Sequence, residues 1–593
     1  MTRIPLRPLV QIIEARTRGE DPDAIERANL HTRHEVMRDQ AQKSAENRLR
    51  FLALFFLCAF AMVGVQMGSV ALSEPAEPAG EVTGNAIVAS RADITDRNGR
   101  ILATNLSTHA LYAQPPIMTD PVGSAKALAA IFPELDEARL IKDFTGSRKF
   151  VWLRRKLSPE QVQQVFDIGD PGLLFGPREM RLYPNGRLAA HVLGGAAFGR
   201  EGVDSAEVIG VAGVEKAFDS YLRDPAQEGK PLQLSLDLTV QSAVAEVLEG
   251  GMRLMHAKAA AAVIMDVHTG EIIALVSLPD FDPNDRPDPP VSGSPSDSPL
   301  FNRVVQGVYE LGSTFKIFAV AEAMQEGLVT AETMVDTKGP IRWGRFRISD
   351  FHNYGPKLTV RDVIVKSSNI GTAHIAQMFG PEKQRAFLTS LGLLEPTKIE
   401  LAEAPGIKPL IPKNWSELSA MTISYGHGLS ASPLHLAQAY ASVLNGGTLV
   451  TATILKQDKV ETGPRVVTEE ISALARSMLR DVVVRGTASF GEVPGYEVAG
   501  KTGSADKPKP TGGYYEDKVI ATFASVFPAS APKYVMIVTL DEGEETTGSE
   551  PRRTAGWTAV PVGAEIIRRA APLLGLRPVL EQDGQVALTR VSN

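Results

Sequence analysis

Residues 51–72 form an apolar run in which Gln66 and Ser69 are the only clearly polar side chains. As an α-helix this run extends about 33 Å, which is enough to cross the hydrocarbon core of a bilayer. A cleaved signal peptide is the main alternative, but its charged leader would be much shorter than the fifty residues that precede the run. The sequence therefore predicts one transmembrane signal-anchor helix.

The charges on the two sides of this run predict its orientation. Five basic residues precede it closely, whereas residues 73–90 contain no lysine or arginine. Because basic flanks stay in the cytoplasm, we expect residues 1–50 to be a cytoplasmic tail and the large C-terminal part to be periplasmic. The chain is then a single-pass protein of the inner membrane. The five basic residues are Arg33, Arg38, Lys43, Arg48 and Arg50.

Composition excludes several classes of function. The 593-residue chain has 44% hydrophobic and 22% charged residues, as folded proteins do, and its length predicts more than one domain. A net charge of −7 gives no basic surface for nucleic acid, so we expect no such partner. The single cysteine, Cys58, excludes an intrachain disulfide and a thiolate cluster, and the ten histidines have no metal-binding spacing. We expect neither a metal nor another cofactor.

The part beyond the membrane divides where its pattern changes, near residue 232. Residues 73–231 begin with a stalk rich in Pro, Glu and Gly and show no catalytic grouping, so we interpret them as an elongated, non-catalytic pedestal. Residues 232–575 have strand-like segments at both ends and helices between them, which predicts an α+β domain with a central antiparallel sheet flanked by helices. Residues 576–593 form a C-terminal tail. The predicted strands are 259–267, 272–277, 519–527 and 534–541, and the predicted helices beside them are 239–255 and 558–574.

One serine and lysine pair has the context of a nucleophile and its base. Ser313 opens a run, residues 317–324, that is apolar almost all round and therefore predicts a buried helix. Lys316 lies one turn along the same face, and burial favours its neutral amine, which can take a proton from the Ser313 hydroxyl. Ser-x-x-Lys occurs about once by chance in a chain of this length. The second match, at Ser504, is followed by prolines that break helices, so the sequence context favours Ser313 as the nucleophile.

A Ser-Ser-Asn motif at 367–369, in a stretch predicted to be helical, is expected to face the same groove. Ser367 can relay a proton between Lys316 and a leaving amine, and the Asn369 amide can donate to and accept from a peptide substrate.

A Lys-Thr-Gly-Ser motif follows the strand-like residues 496–499. Lys501 supplies positive charge, and the hydroxyls of Thr502 and Ser504 can bind a substrate carboxylate. Gly503 lets the strand backbone approach the substrate closely. The backbone N–H groups of Ser313 and Ser504 are expected to form the oxyanion hole. Each motif alone is compatible with local capping or a turn, but the three together predict a serine acyl-transferase.

With these motifs the chain resembles the class B penicillin-binding proteins, and most closely the division-specific FtsI type. The resemblance spans about residues 92–574 and includes Gly-Val-Glu at 213–215 and Ser-Tyr-Gly-His-Gly at 424–428. It implies a peptidoglycan D,D-transpeptidase that cross-links stem peptides of lipid-linked precursor-derived glycan in the septal wall, through an acyl-enzyme at Ser313. It also implies acylation by β-lactams, a dimerisation-type pedestal, and partnership with a polytopic glycosyltransferase and other membrane proteins of the division complex.

Alternatives remain open from the residues. An elongation-type transpeptidase has the same motifs, and a D,D-carboxypeptidase or β-lactamase uses the same first step with water as the acceptor. A β-lactam-sensing or scaffolding protein is the third, although such sensors usually have several spans and a cytoplasmic effector domain. No glycosyltransferase domain fits between the span and residue 232, which argues against a bifunctional enzyme.

Overall fold

The computed structural model describes residues 9–19, 21–72, 91–201, 206–459, 462–509 and 512–579. Contacts divide the chain into two units, Met1–Thr83 and Gly84–Asn593. The predicted stalk, residues 74–84, and most of the predicted C-terminal tail lie outside the described residues.

The described residues of the first unit form two helices, α1 (Leu9–Arg18) and α2 (Pro22–Leu72). The predicted polar tail is therefore helical from Pro22 and continuous with the apolar run, because it is rich in good helix formers and contains no glycine or internal proline. Its stretch Arg48–Val65 is fully exposed in the isolated chain. Within the described part of the chain, this is the one helix long and apolar enough to cross a membrane.

The pedestal is built around one long strand. The predicted turn Asp96–Gly99 is confirmed: it joins β1 to β2, and the Asp96 carboxylate accepts hydrogen bonds from the backbone N–H groups of Asn98 and Arg100. β2 pairs antiparallel with β1, β3 and β4. The strands are β1 (Ile94–Thr95), β2 (Ile101–Ala113), β3 (Val151–Leu157), β4 (Leu173–Leu182), β5 (Gly195–Glu201) and β6 (Ala206–Ala212). The helices are α3 (Pro121–Ile131), α4 (Glu137–Thr145), α5 (Pro159–Phe166), α6 (Ala190–Leu193), α7 (Gly213–Ala217) and α8 (Asp219–Leu222).

Two hydrophobic cores stabilise the pedestal. The end of β2 and helices α3 to α5 enclose a small core that includes Leu128 and Phe132. The start of β2 and α6 to α8 instead contribute to the large core of the following domain, for example through Leu102 and Val214. β1 also pairs in parallel with the first strand after residue 231. The core is thus continuous across the predicted boundary, and the boundary itself stays a prediction.

The second domain confirms the predicted central antiparallel sheet flanked by helices. Its strands are β7 (Leu232–Gln233), β8 (Ala259–Asp266), β9 (Ile272–Leu278), β10 (Met334–Asp336), β11 (Ile341–Trp343), β12 (Phe346–Ile348), β13 (Lys357–Thr359), β14 (Ala499–Pro508), β15 (Tyr514–Phe527) and β16 (Tyr534–Asp541). Its helices are α9 (Leu238–Leu254), α10 (Lys316–Gln325), α11 (Val360–Val365), α12 (Asn369–Ser390), α13 (Glu417–Ser424), α14 (Pro433–Leu444), α15 (Glu469–Arg485) and α16 (Ala559–Leu573).

The order of the central sheet is β14-β15-β16-β8-β9, and every neighbouring pair is antiparallel. Helices α9 and α16 pack together against the sheet, and α14 also packs on it. The strands β8 and β9 are buried along almost their whole length because helices cover the sheet. This arrangement places β14, which carries the Lys-Thr-Gly-Ser motif, at one edge of the sheet.

Candidate active site

The predicted nucleophile lies in a tight turn that leads directly into α10. Ser313 belongs to the 3₁₀ turn Gly312–Phe315, and α10 is buried from Lys316 to Met324, as the sequence predicts. The Tyr440 hydroxyl donates to the backbone oxygen of Thr314 at 2.8 Å and fixes this turn from the protein interior. Ser313 is only half-buried, whereas the other three residues of the turn are buried. Its hydroxyl is therefore on the accessible residue of a rigid turn.

Two glycines allow other segments to press against this turn. The N–H of Gly312 donates to the backbone oxygen of Gly426 at 3.3 Å. A Cβ atom on Gly426, whose φ is +87°, would lie 1.9 Å from the Gly312 oxygen, and one on Gly503 would lie 2.2 Å from the Leu311 oxygen. Gly503 is predicted to admit substrate; in the structure it admits the backbone of the nucleophile turn.

The Lys316 amine is buried among neutral acceptors. Its Nζ donates to the backbone oxygen of Ser367 at 2.6 Å and to Asn369 Oδ1 at 2.7 Å, and it lies 3.0 Å from Ser367 Oγ. Burial, with Lys501 adding to the effect, holds the pKa of Lys316 well below 10.5, although the Asp350 carboxylate opposes this. A neutral amine has two N–H groups for the two carbonyl acceptors, so its lone pair remains for a hydroxyl proton.

A second buried amine meets the same hydroxyl. Lys501 Nζ lies 3.0 Å from Ser367 Oγ and donates to the backbone oxygen of Thr502 at 3.1 Å. Burial lowers the pKa of Lys501 to about 7. Ser367 itself has a φ of +61°, a region that few residues other than glycine adopt, so surrounding contacts hold its backbone in place. The Ser367 hydroxyl is thus positioned between both lysines.

The prediction that Ser-Ser-Asn lies within a helix is wrong. The left-handed backbone at Ser367 separates α11 from α12, and Ser368 becomes the N-cap of α12, with its Oγ accepting from the N–H of Gly371. The placement of the Lys-Thr-Gly-Ser motif after a strand is also wrong. β14 begins at Ala499 and contains the motif, because its pairing with β15 continues to Pro508.

The substrate-binding hydroxyls predicted in β14 lie on alternate residues and therefore on one face of the strand. Thr502 Oγ1 is 2.7 Å from Thr487 Oγ1, and Ser504 Oγ accepts from the backbone N–H of Ala555 at 2.9 Å. Lys501 Nζ also lies 3.4 Å from Thr502 Oγ1, so the Thr502 hydroxyl lies between that amine and Thr487.

Sequence reasoning missed Asp350. Its carboxylate accepts from Ser368 Oγ at 2.6 Å, from the N–H of Asn369 at 2.6 Å and from the N–H of Ile370 at 3.0 Å. The Asn369 Nδ2 donates to the backbone oxygen of Ser349 at 3.0 Å. Both ends of the Asn369 amide, predicted to bind a peptide, are therefore used inside the protein. No local sequence pattern marks Asp350, because the groups that it binds, at residues 368–370, come after a loop and helix α11.

The predicted residues come from three segments that the fold brings together. Ser313 and Lys316 lie on one, Ser367 and Asn369 on the second, and the four residues of β14 on the third. The contacts of Lys316, Lys501 and Gly503 described above join all three. Among the described residues, no group of three or more His, Cys, Asp or Glu side chains is arranged to hold a metal.

Two family models cover most of the second unit. The penicillin binding protein transpeptidase domain matches residues 260–566, and the penicillin-binding protein dimerisation domain matches residues 86–230. The chain belongs to the penicillin-binding proteins. Within this family it is similar to the probable peptidoglycan D,D-transpeptidase FtsI of Caulobacter vibrioides, with 35% identity over 92% of this chain and 91% of that one.

Other members of the family agree. The peptidoglycan D,D-transpeptidase FtsI of Escherichia coli K12 is 31% identical over 76% of this chain and 79% of its own. Among solved structures, penicillin-binding protein 3 of Mycobacterium tuberculosis complexed with aztreonam superposes with a TM-score of 0.62 at 25% identity and covers 83% of this chain and 98% of its own. The resemblance stated from the motifs is thereby confirmed.

Proposed function

We propose that this penicillin-binding protein is an FtsI-type peptidoglycan D,D-transpeptidase that cross-links stem peptides of the septal wall, with Ser313 as its nucleophile. The observation that carries the assignment of roles is the Lys316 amine, which is fully buried, has only neutral hydrogen-bond partners and lies one turn from Ser313. Such an amine is held near its neutral form, and a serine hydroxyl needs a base of that kind to become a nucleophile.

In the first step, Lys316 takes the Ser313 proton while Oγ attacks the carbonyl of the penultimate D-Ala. The backbone N–H groups of Ser313 and Ser504 stabilise the oxyanion. The leaving D-Ala amine needs a proton, and Ser367 can relay it from Lys316 because its Oγ lies 3.0 Å from that amine. Asn369 holds the Lys316 amine in place through its Oδ1.

Lys501, Thr502 and Ser504 bind the terminal carboxylate of the donor stem, and Gly503 keeps β14 close to the nucleophile turn. Because the pKa of Lys501 lies at about 7, a bound carboxylate stabilises its charged form at physiological pH. β-Lactams carry a carboxylate and a strained acyl group and act as covalent inhibitors through the same residues.

Labelling with fluorescent penicillin tests this function on the purified full chain. The wild type should be labelled, the adduct should map to Ser313 by mass spectrometry, and Ser313→Ala should not be labelled. The matched control Ser390→Ala changes an exposed serine at the end of α12 and should be labelled normally. An adduct on another residue, or full labelling of Ser313→Ala, would refute the assignment.

Product analysis then separates transfer from hydrolysis. With a stem-peptide donor and a stem-peptide acceptor, a transpeptidase forms cross-linked dimers, whereas a carboxypeptidase or β-lactamase releases only the free acid. In cells, depletion should give filaments that do not divide; rounded cells would instead indicate the elongation-type alternative.

The placement in the cell is part of the same proposal. α2 would anchor the chain in the inner membrane with its N-terminus in the cytoplasm and the catalytic domain in the periplasm, which the basic residues before the span support. There the anchor and pedestal would meet a polytopic glycosyltransferase and other division proteins. A C-terminal reporter that is active only in the periplasm tests this orientation, and a silent reporter on an expressed fusion would contradict it.

A further inference from the structure

His427 lies directly beside the nucleophile turn. The residue before it, Gly426, accepts a hydrogen bond from the N–H of Gly312 at 3.3 Å. The residue after it, Gly428, donates its N–H to Glu310 Oε1 at 2.8 Å. Both neighbours of His427 are thus bound to the four-residue segment that ends at the proposed nucleophile, so the imidazole is held next to the reacting centre.

Two tyrosine rings and the Glu310 carboxylate surround the His427 imidazole. The Tyr425 and Tyr514 rings lie 5.4 and 6.3 Å from the His427 ring, measured between centroids. The Tyr514 hydroxyl donates to Glu310 Oε1 at 3.1 Å. His427 and Glu310 are half-buried, whereas Asp506, beyond Ser504 on β14, is exposed. The group therefore lies at the opening of the site rather than in the core.

Two buried polar atoms of this group have no partner. Among the residues that the structure describes, Nδ1 of His427 and Oε2 of Glu310 are buried and make no hydrogen bond. Buried polar atoms are nearly always bonded, so a pair of unmatched atoms points to a group that binds there. A carboxylate oxygen accepts, and the Nε2–H tautomer of imidazole offers Nδ1 as an acceptor. An ammonium ion, with three N–H donors, matches both.

The charges around the site give it two poles. Lys501, whose charged form a bound carboxylate stabilises, forms the basic pole on the side of the donor stem, whereas Lys316 is a neutral amine. Glu310 and Asp506 form an acidic pole on the side of His427. Burial lowers the pKa of His427, with Lys316 acting in the same direction and the two carboxylates opposing, so the imidazole is neutral near pH 7. The Tyr425 and Tyr514 hydroxyls, whose pKa values burial raises to about 12, stay uncharged.

We propose that His427 takes the proton that the acceptor amine must lose before it attacks the acyl-enzyme, and that Glu310 and Asp506 bind this amine as an ammonium ion. The inference rests on the proposed function and specifies its second step. The ammonium gives one proton to His427, and the free amine forms a C–N bond to the acyl carbonyl. As the ester bond to Ser313 breaks, the second N–H proton passes to Oγ. The products are the amide cross-link and the serine hydroxyl, and His427 releases its proton to solvent.

Competition between an amine and water tests this role. Water arrives uncharged, so hydrolysis needs no prior loss of a proton from a cation. With a thioester analogue of acyl-D-Ala-D-Ala as donor and a stem peptide with a free side-chain amine as acceptor, we expect His427→Gln to lower the ratio of amide to free acid by about 10²-fold. Acylation by penicillin should change much less, and Glu310→Gln should mainly raise the KM for the acceptor.

Hydroxylamine provides a sharper readout because it is mostly uncharged at neutral pH. Because it needs no deprotonation before it attacks, and loses only the N–H proton that passes to Oγ, it should restore aminolysis in His427→Gln almost to the wild-type level. In the wild type, the ratio for the stem amine should fall as the pH drops through the lowered pKa of His427, because the imidazole becomes protonated; in His427→Gln, where only the small uncharged fraction of the amine reacts, the ratio should instead fall with decreasing pH over the whole range, with no break at that pKa. The control His268→Gln changes an exposed histidine in the turn between β8 and β9 and should behave as the wild type.

Two results would overturn the inference. One is an unchanged ratio of amide to acid in His427→Gln, and the other is an equal loss with the stem amine and with hydroxylamine, which would mean that His427 only shapes the site. Failure of penicillin to label Ser313 in the wild type would instead refute the proposed function, so the two failures are distinguishable. Normal labelling of the variants confirms that they are folded.

Discussion

Two buried clusters of ionisable side chains, one in the pedestal and one beside Ser313, differ in whether a buried cation has a carboxylate partner. In the pedestal, Glu215 has no exposed surface, and its two carboxylate oxygens accept from the Nε atoms of Arg91 and Arg181, each at 2.7 Å. At the active site, Lys316 and Lys501 have no exposed surface either, but their hydrogen-bond partners are carbonyl, amide and hydroxyl oxygens.

The difference shows that burial of ionisable groups stabilises the fold in one cluster and creates a base in the other. A buried ion keeps its charge when an opposite charge offsets the cost of desolvation, and it then holds the connected segments together. Arg91, Arg181 and Glu215 in this way join three distant segments of the pedestal. A buried amine without such a partner lowers its pKa instead and becomes a base. The polar partners of the two lysines position them without restoring their charge.

Removal of the Lys316 amine should have the largest effect. We expect Lys316→Met to slow acylation by penicillin about 10³-fold or more, because Ser313 loses its base while the volume of the side chain is retained. The variant removes a buried amine that has no counter-charge, but also the donor of the Ser367 oxygen and Asn369 Oδ1, and these opposing effects should keep its free energy of unfolding within about 1–2 kcal/mol of the wild type. Labelling rates and urea unfolding measure both quantities. Fast labelling would show that another group activates the serine.

Removal of the buried carboxylate in the pedestal should instead lower stability and leave acylation unchanged. Glu215→Ala leaves the buried Arg181 guanidinium without its carboxylate and Arg91 with Asp219 alone, which should lower the free energy of unfolding by about 3–5 kcal/mol. Acylation per folded molecule should be unaffected. Glu565→Ala, which removes a half-buried carboxylate that pairs with Arg568 and Arg569 at the surface, is the control and should cost under about 1 kcal/mol. A similar small cost for Glu215→Ala would remove the basis of the comparison.

The dependence of stability on pH should also distinguish the two clusters. Lys501 has a pKa of about 7 in the folded protein, against 10.5 ordinarily, so between these values the unfolded chain holds a proton that the folded chain lacks. Stability should therefore rise with pH from 7 to 9, with a contribution of up to about 1.4 kcal/mol per pH unit from this group. Urea unfolding at several pH values should show a smaller rise in Lys501→Met. Equal slopes in both proteins would contradict the lowered pKa.

Much of the fold around these clusters was predictable from the sequence. The helix after Ser313 is apolar on all sides, so it had to be buried, and the hairpin β8–β9 and the strands β15 and β16 follow from apolar runs between turns. The local sequence pattern is enough to predict these elements, because the predicted part of each one is apolar and buried. The three motifs also lie together, as predicted, because a nucleophile, its base and the groups that bind the substrate have to meet at one site.

The errors lie where distant contacts decide the local backbone. The stretch from α11 to α12 has a helical pattern throughout, and the break at Ser367 depends on Lys316 and Asp350, which come from other segments. The polar residues 501–504 end the apolar pattern of a strand, although the pairing with β15 continues. In both cases one face of the element forms the active site, and an active-site face lacks the apolar residues on which pattern recognition depends.

Asp350 gives the most sensitive test of the comparison between the two clusters. Like Glu215, it is a carboxylate that holds separate segments together, but it acts on the Lys316 amine only through its charge. It binds Ser368 and the first N–H groups of α12, and its charge raises the pKa of Lys316 against the effect of burial. Asp350→Asn keeps an acceptor for those N–H groups and removes the charge, so it should cost only about 0.5–1 kcal/mol of stability.

The same change should lower the pKa of Lys316 further. Because acylation requires the neutral amine, the acid limb of the pH profile for penicillin acylation should move to lower pH in Asp350→Asn. Asp350→Ala, which also removes the acceptor, should cost about 1–2 kcal/mol and slow acylation at every pH, since Asn369 is no longer held in place. A limb that moved to higher pH in Asp350→Asn would mean that the carboxylate acts on Ser313 by another route than the Lys316 amine.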